Sequence, residues 1–240
     1  MGIRSALCAS LVALGLISSA RANVLLENPG LTTNPALLDP TWGMIAPALA
    51  GSTTDLPGWT ITGVSVDVIH SYWQAPPGAE YSVDLVGTPG FGGISQTIPT
   101  VAGDVYTLTY YMSINPDNGP NHEKSIAKSL EIQAIDSLGE IHKFISDAQT
   151  SGTRTELDMQ WGSQQSFMFT ARSSSTTLNI FSVVPANLPQ GVSASSLITG
   201  PVIGNLDLEF SGGGPTPEPA TLSILGVSAS ALLLKRRRGR

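Results

Sequence analysis

The sequence predicts an all-β protein, a β-sandwich of the jelly-roll type. Its apolar segments are short and alternate apolar with polar residues, the period of a half-buried strand. Clusters of Gly, Pro, Ser and Thr separate them, and between the two ends of the chain no segment has the spacing of an amphipathic helix of ordinary length. About ten short strands with turn signals between them fit two packed antiparallel sheets.

The elements follow in order. Asn23–Glu27 reads as the first strand, and Val64–Ile69 alternates as Val-Ser-Val-Asp-Val-Ile. Tyr81–Leu85 is a third, and Gly93–Ile98 follows a glycine-rich turn at residues 88–93. Asp104–Ile114 is rich in the β-branched and aromatic residues that suit a pleated surface. Asn115-Pro116-Asp117-Asn118-Gly119-Pro120 is a loop by its turn chemistry. Ser129–Ile135, Glu140–Ile145, Gln165–Ala171, Thr176–Val183 and Val202–Phe210 complete the strands. The predicted domain spans residues 23–210, and residues 211–216, Ser-Gly-Gly-Gly-Pro-Thr, read as a flexible linker.

Both ends of the chain read as sorting signals. Residues 1–22 have the parts of a secretory signal peptide: Arg4, an apolar run from Ala6 to Ile17, and small residues at Ala20 and Ala22 where signal peptidase reads the chain. The run is shorter than the roughly 20 residues of a membrane span. Residues 217–240 contain Pro217-Glu218-Pro219, the uncharged segment Leu222–Leu234, and a basic end from Lys235 to Arg240. At 13 residues the apolar segment reaches only about 20 Å as a helix, short for a permanent span. The basic cluster resists export and holds the segment as a transient inner-membrane anchor.

This order of parts resembles the PEP-CTERM sorting domain of Gram-negative bacteria. The resemblance implies an exosortase-type enzyme that cuts near Pro217, Glu218 and Pro219. It also implies a final place at the cell surface or in the extracellular matrix. An ordinary C-terminal anchor is the alternative.

Composition bounds the rest. The single cysteine, Cys8, lies in the signal peptide, so disulfides and thiolate metal sites are excluded from the remainder. Between the two signals only Lys124, Lys128, Lys143, Arg154 and Arg172 are basic, against 17 acids, which is every acid but Glu218. A balance near −12 repels phosphate backbones and argues against nucleic-acid binding.

Three stretches form a second likeness: Asn23-Val24-Leu25-Leu26-Glu27-Asn28-Pro29-Gly30; Leu56-Pro57-Gly58-Trp59 with Val66–Ile69 and Tyr72-Trp73; and Ser82–Gly87 with Gly92–Ile98 and Thr100–Tyr106. Together they resemble the choice-of-anchor C proteins of bacteria, which are similar to plant cell-wall proteins with a galactose-binding-like jelly roll. Residues 200–208 look like the closing strand of that domain, whereas residues 116–197 match it poorly. The resemblance implies association with extracellular polysaccharide and brings no catalytic residues. Jelly rolls of this type often hold a structural calcium ion. If the first and last strands pair, Glu27, Asn28, Asn205 and Asp207 are the donors it would use.

The candidate chemistry is thin. His70, His122 and His142 form no close-spaced pair, and neither an H-E-x-x-H nor a G-x-S-x-G motif occurs. Among 17 acids some carboxylate pair is unavoidable; Glu156 with Asp158, and Asp207 with Glu209, have the spacing to share one strand face. Aromatic residues are the better lead, because sugar rings stack their C–H faces on them. His70, Tyr72 and Trp73 mix aromatic and polar groups where a strand passes into a Pro-Pro-Gly loop, and Trp42 lies in a second loop. Trp73 reads either as a binding residue or as core; Trp59, at a strand entry, reads as core. The expectation is a non-enzymatic polysaccharide-associating protein. A polysaccharide hydrolase and a ligand-free structural protein are the alternatives.

Overall fold

The computed structural model describes residues 25–119 and 123–213. Signal-peptide residues Ala20 and Ala22, His122, and sorting residues Pro217, Glu218 and Pro219 lie outside the described residues. The strands are β1 (Met44–Leu49), β2 (Thr60–Gly63), β3 (Ser65–Ile69), β4 (Ser82–Asp84), β5 (Val86–Gly87), β6 (Gly90–Pro99), β7 (Asp104–Ile114), β8 (Ser129–Asp136), β9 (Gly139–Ile145), β10 (Gln165–Thr170), β11 (Ser175–Val183) and β12 (Pro201–Gly213). They form two antiparallel sheets, ordered β1-β3-β4-β12-β7-β10 and β2-β6-β11-β8-β9, with β5 paired to β6. The protein is therefore an all-β, two-sheet antiparallel sandwich, as its alternating pattern predicts.

Inward residues of both sheets make one core. Tyr106, Leu108, Tyr110 and Met112 of β7 meet Leu130, Ile132 and Ala134 of β8, with Leu178 and Ile180 of β11, in one buried cluster. In β12 the register shifts between Gly204 and Asp207, with Asn205 in a left-handed conformation (φ 49°). This bulge explains how Ile203 and Leu206, three apart, both reach the core, because an extra residue reverses the alternation. The chain changes sheets at Leu85, whose N–H donates to Pro201 of β12 while its carbonyl accepts from Gly92 of β6. Gly92 has no room for a side chain: a Cβ there would lie 2.0 Å from the Ser65 carbonyl oxygen.

Four expectations need correction. The first expected strand, Asn23–Glu27, does not form in its described part, residues 25–27. A side chain takes the place of the neighbouring strand: Gln96 Oε1 accepts from the Glu27 N–H at 2.8 Å, and Gln96 Nε2 donates to the carbonyls of Glu27 and Gly58. With the backbone satisfied this way, Leu26 and Leu31 drop into the core without a ladder. The expected linker begins later, because Ser211–Gly213 continue β12, with Gly212 opposite Val105 and Gly213 opposite Asp104. Glu156 and Asp158 do not share a strand face; Thr155 and Asp158 close a tight turn by exchanging backbone hydrogen bonds. Finally, β1 was absent from the sequence reading. Its Pro47 argues against a central strand, and β1 is an edge strand whose register shifts between Ile45 and Ala48.

Candidate functional site

Loops before β1, between β3 and β4, between β7 and β8, and between β9 and β10 meet at one end of the first sheet. The loop before β1 is closed by Asp39, whose Oδ1 accepts from Thr41 and Trp42 N–H while its carbonyl accepts from Gly43. Gly43 has φ 65°, and its carbonyl accepts from both His70 and Ser71 N–H. This close approach seats Trp42 against Tyr72, with ring centroids 5.9 Å apart and planes at 75°. The Trp42 ring stays 53% exposed. An exposed indole held by an aromatic edge is unusual for a side chain that prefers burial.

Tyr72 leads inward from there. Its hydroxyl donates to Asp117 Oδ2 at 3.1 Å. The Asp117 N–H donates to Asn115 Oδ1, and Asn115 Nδ2 donates to Asp84 Oδ2 at 2.6 Å. A surface aromatic is thus tied through two polar residues to a carboxyl that is fully buried. Gln74 fastens the β9–β10 loop alongside. Its N–H donates to the Glu156 carbonyl, its Oε1 accepts from Met159 N–H, and its carbonyl accepts from the Trp161 indole. Next to Tyr72 the loops leave an open pocket of about 460 Å³, lined by Pro116, Asp117, Lys124, Thr155, Glu156 and Leu157. Leu157 at its rim is 91% exposed.

The electrostatics are those of a half-dry acidic pocket. Burial pushes the Tyr72 phenol well above its ordinary range, and the charges of Asp117 and Glu156 push it further. Asp117 is raised mainly by burial and also by Glu156; the Tyr72 hydrogen bond and Lys124 pull it back. Beneath the site, Asp67 is raised to about 6 by burial, opposed by hydrogen bonds from Thr88. Asp84 is raised well above the usual carboxylate range by burial and then by Asp67. Lys128, buried against the carbonyls of Glu123 and Ile126, is lowered to about 8 by desolvation.

The aromatic residues read from the sequence separate into different roles. Trp42 and Tyr72 come together at the site. His70 packs against Tyr81 with centroids 4.7 Å apart and ring planes tilted by 40°, and holds the loop through its backbone. Trp73 is not a binding surface. It is 5% exposed, packs with Ile69, Met159 and Val202, and donates its indole N–H to Ser82 Oγ at 2.9 Å. The two rings are neighbours with centroids 5.6 Å apart, but Tyr72 is only partly buried and sends its hydroxyl to Asp117, whereas Trp73 is enclosed by its cluster. Trp59 is core, as expected from its strand entry.

The expected calcium donors do not form a ligand set. The first and last segments share one backbone bond, Leu206 N–H to the Pro29 carbonyl, rather than a strand ladder. Asn28 Oδ1 accepts from both the N–H and the hydroxyl of Thr32, and Asn205 Nδ2 donates to the Pro77 carbonyl. Glu27 and Asp207 are exposed. Among the described residues, no three His, Cys, Asp or Glu side chains gather as a metal centre. Asp117, Lys124, Glu156 and Leu157 were not read from the sequence as site residues. The turn chemistry of residues 115–120 marked their loop, but nothing local shows that Tyr72, 45 positions earlier, reaches it.

No curated protein matches the chain. Among solved structures, a carbohydrate-binding module, TmCBM61, in complex with β-1,4-galactotriose aligns at 14% identity and a TM-score of 0.40, over 65% of this chain and 90% of its own. A family 35 carbohydrate-binding module from Clostridium thermocellum aligns at 11% identity and a TM-score of 0.36, over 68% and 97%. The C-terminal domain of EclA, a sugar-binding protein, aligns at 20% identity and a TM-score of 0.32, over 57% and 89%. Likenesses this distant say nothing about ligand. A family profile described as "Protein of unknown function (DUF642)" matches residues 24–209, a span that includes the stretch 116–197 that matches the choice-of-anchor pattern poorly. The chain belongs to the DUF642 family.

Proposed function

We propose that this is an exported, non-enzymatic protein of the cell surface or extracellular matrix that binds extracellular polysaccharide through the Trp42 and Tyr72 end of its sandwich. The observation that carries the reading is Trp42, an exposed indole braced by Tyr72 beside an open polar pocket. A sugar ring stacked there would meet hydrogen-bonding groups of Asp117, Lys124 and Glu156 at its edge. The sandwich in this reading is a galactose-binding-like jelly roll of the choice-of-anchor C kind. Signal peptidase removes residues 1–22, and an exosortase-type enzyme processes the PEP-CTERM-like tail at Pro217, Glu218 and Pro219, giving a Gram-negative surface protein.

A panel of neutral, amino and acidic polysaccharides in native affinity gels tests the binding. Retardation by at least one polymer, lost in Trp42→Ala, supports it. Silence across the panel overturns it and leaves a structural protein without a ligand. The hydrolase reading rests on Asp117 and Glu156, since glycoside cleavage needs two carboxyls about 5–10 Å apart across one bond. Both bear on a single Tyr72 hydroxyl, and the non-enzymatic reading takes them as ligand-binding groups at the edge of the pocket. Release of reducing ends that stops in Glu156→Gln would overturn the non-enzymatic reading. For the tail, intact mass of surface material from a host with an exosortase decides: a species still ending at Arg240 refutes processing.

A further inference from the structure

The carboxylates beside Tyr72 carry the reading one step further, to the chemistry of the ligand. A phenol has one proton, and Tyr72 gives it to Asp117 Oδ2. Glu156 bears on the same hydroxyl, and one proton cannot satisfy both carboxylates. The two acids also repel each other, Asp117 held partly out of water and Glu156 exposed, and Lys124 opposes Asp117 with one ammonium. Trp42, half exposed with its ring centroid 5.9 Å from that of Tyr72, adds a second π-system whose negative face attracts cations. Two carboxylates share one phenol proton beside two aromatic rings, and together they outweigh the single Lys124 ammonium in the charge they attract.

We propose that this site selects polysaccharide bearing free amino groups, the ammonium sitting between Glu156 and the Trp42 and Tyr72 rings. The inference rests on the polysaccharide reading above and names the class of sugar it would take. A uronic acid in the same place would bring a third carboxylate to two, with Lys124 alone to receive it. An acetylated amino sugar would stack equally well and lose the charge.

The test is a binding titration of the full-length protein with two oligosaccharides that differ only in this group: a β-1,4-glucosamine oligomer and the same oligomer fully N-acetylated. A neutral β-1,4-galactan is run beside them. The free-amine oligomer is expected to bind about tenfold more tightly, the worth of one charge-assisted hydrogen bond. Glu156→Gln should remove that advantage, and its exposed position leaves the fold intact by circular dichroism. Glu140→Gln, an exposed acid on β9 in the other sheet, should leave it unchanged and so controls for the overall acidity of the protein. Equal affinity for both oligomers, weakened in Trp42→Ala, would overturn the amine selectivity while the polysaccharide reading stands. A preference unaltered in Glu156→Gln would overturn it as mere bulk charge. No binding to any of the three polymers, with silence across the wider panel, would sink both.

Discussion

Asp67 and Asp84 are direct cross-strand partners in the β3–β4 ladder, two carboxyls buried side by side. Neither has a cation hydrogen-bonded to it. Asp67 accepts from the N–H and hydroxyl of Thr88, and Asp84 from Val86, Asn115 and Gly200. Such a pair cannot carry two charges cheaply, so it holds protons that the unfolded chain would release.

The consequence is a stability that falls as pH rises. A carboxyl whose folded pKa is raised binds more protons folded than unfolded, so its contribution is full below the unfolded value near 4 and is lost upward. For Asp67 the window runs from about 4 to about 6, and Asp84 extends it upward. Thermal melts should show this pair working against the usual rise between pH 4 and 7. Asp67→Asn should flatten that dependence and raise the stability at pH 7.5 by on the order of 2 kcal/mol, read as a higher melting temperature. An unchanged pH profile in the variant would mean the pair is not protonated in the fold.

Trp73→Ala and Trp42→Ala should separate cleanly. Trp73 fills a buried cluster with Ile69, Met159 and Val202, so truncation leaves a cavity and costs about 3–5 kcal/mol. Trp42 is mostly in water, so its truncation should cost within about 0.5 kcal/mol yet abolish polysaccharide retention. Denaturant unfolding of the two variants, run beside native affinity gels, reads both effects. A stable Trp73→Ala protein would contradict the packing described here.

How far these roles were legible is instructive. Alternation alone placed β7, β8, β9, β10 and β11 within a residue or so of where they form, because one face of each is buried or, in β9, carries the partly buried Ile141. Tyr72 and Trp73 lie past the end of β3, where no alternation applies, so only the packing of the loop shows which of the two is buried. The pocket was beyond reach for a different reason. Tyr72, Asp117 and Glu156 come from three loops, and their meeting depends on Gln74 fastening one loop to another through Glu156, Met159 and Trp161. No periodicity records such a tie. β1 and the opening segment failed where a local rule was overridden, by Pro47 at an edge and by the Gln96 carboxamide standing in for a strand.

Gln96→Ala tests that substitution. The side chain is buried and makes three hydrogen bonds, all to backbone groups of Glu27 and Gly58. Removing it leaves those groups short of partners and frees residues 25–31, so a loss of about 3 kcal/mol is expected. Hydrogen exchange should show faster exchange at the Glu27 amide, whereas the β7 and β12 ladder stays protected. Unchanged protection at Glu27 would show that the segment is held by Leu26 and Leu31 alone.

Gly43→Ala reaches the site without touching the aromatic rings. The position has φ 65°, a conformation L side chains rarely adopt, and a Cβ would lie 1.9 Å from Ser71 Oγ. The loop must therefore move, and with it the carbonyl that receives His70 and Ser71 N–H. Since both sheets lie outside this loop, the cost in stability should be only about 1–2 kcal/mol. The cost in binding should be larger, because Trp42 is joined to Gly43 and keeps its edge contact with Tyr72 only while the loop holds its shape. Titration with the best-retained polysaccharide should show affinity reduced about tenfold or more, approaching that of Trp42→Ala, while the far-ultraviolet spectrum is unchanged. Full affinity in a folded Gly43→Ala protein would mean that Trp42 binds without being braced, and that the geometry of the pair with Tyr72 is incidental to the site.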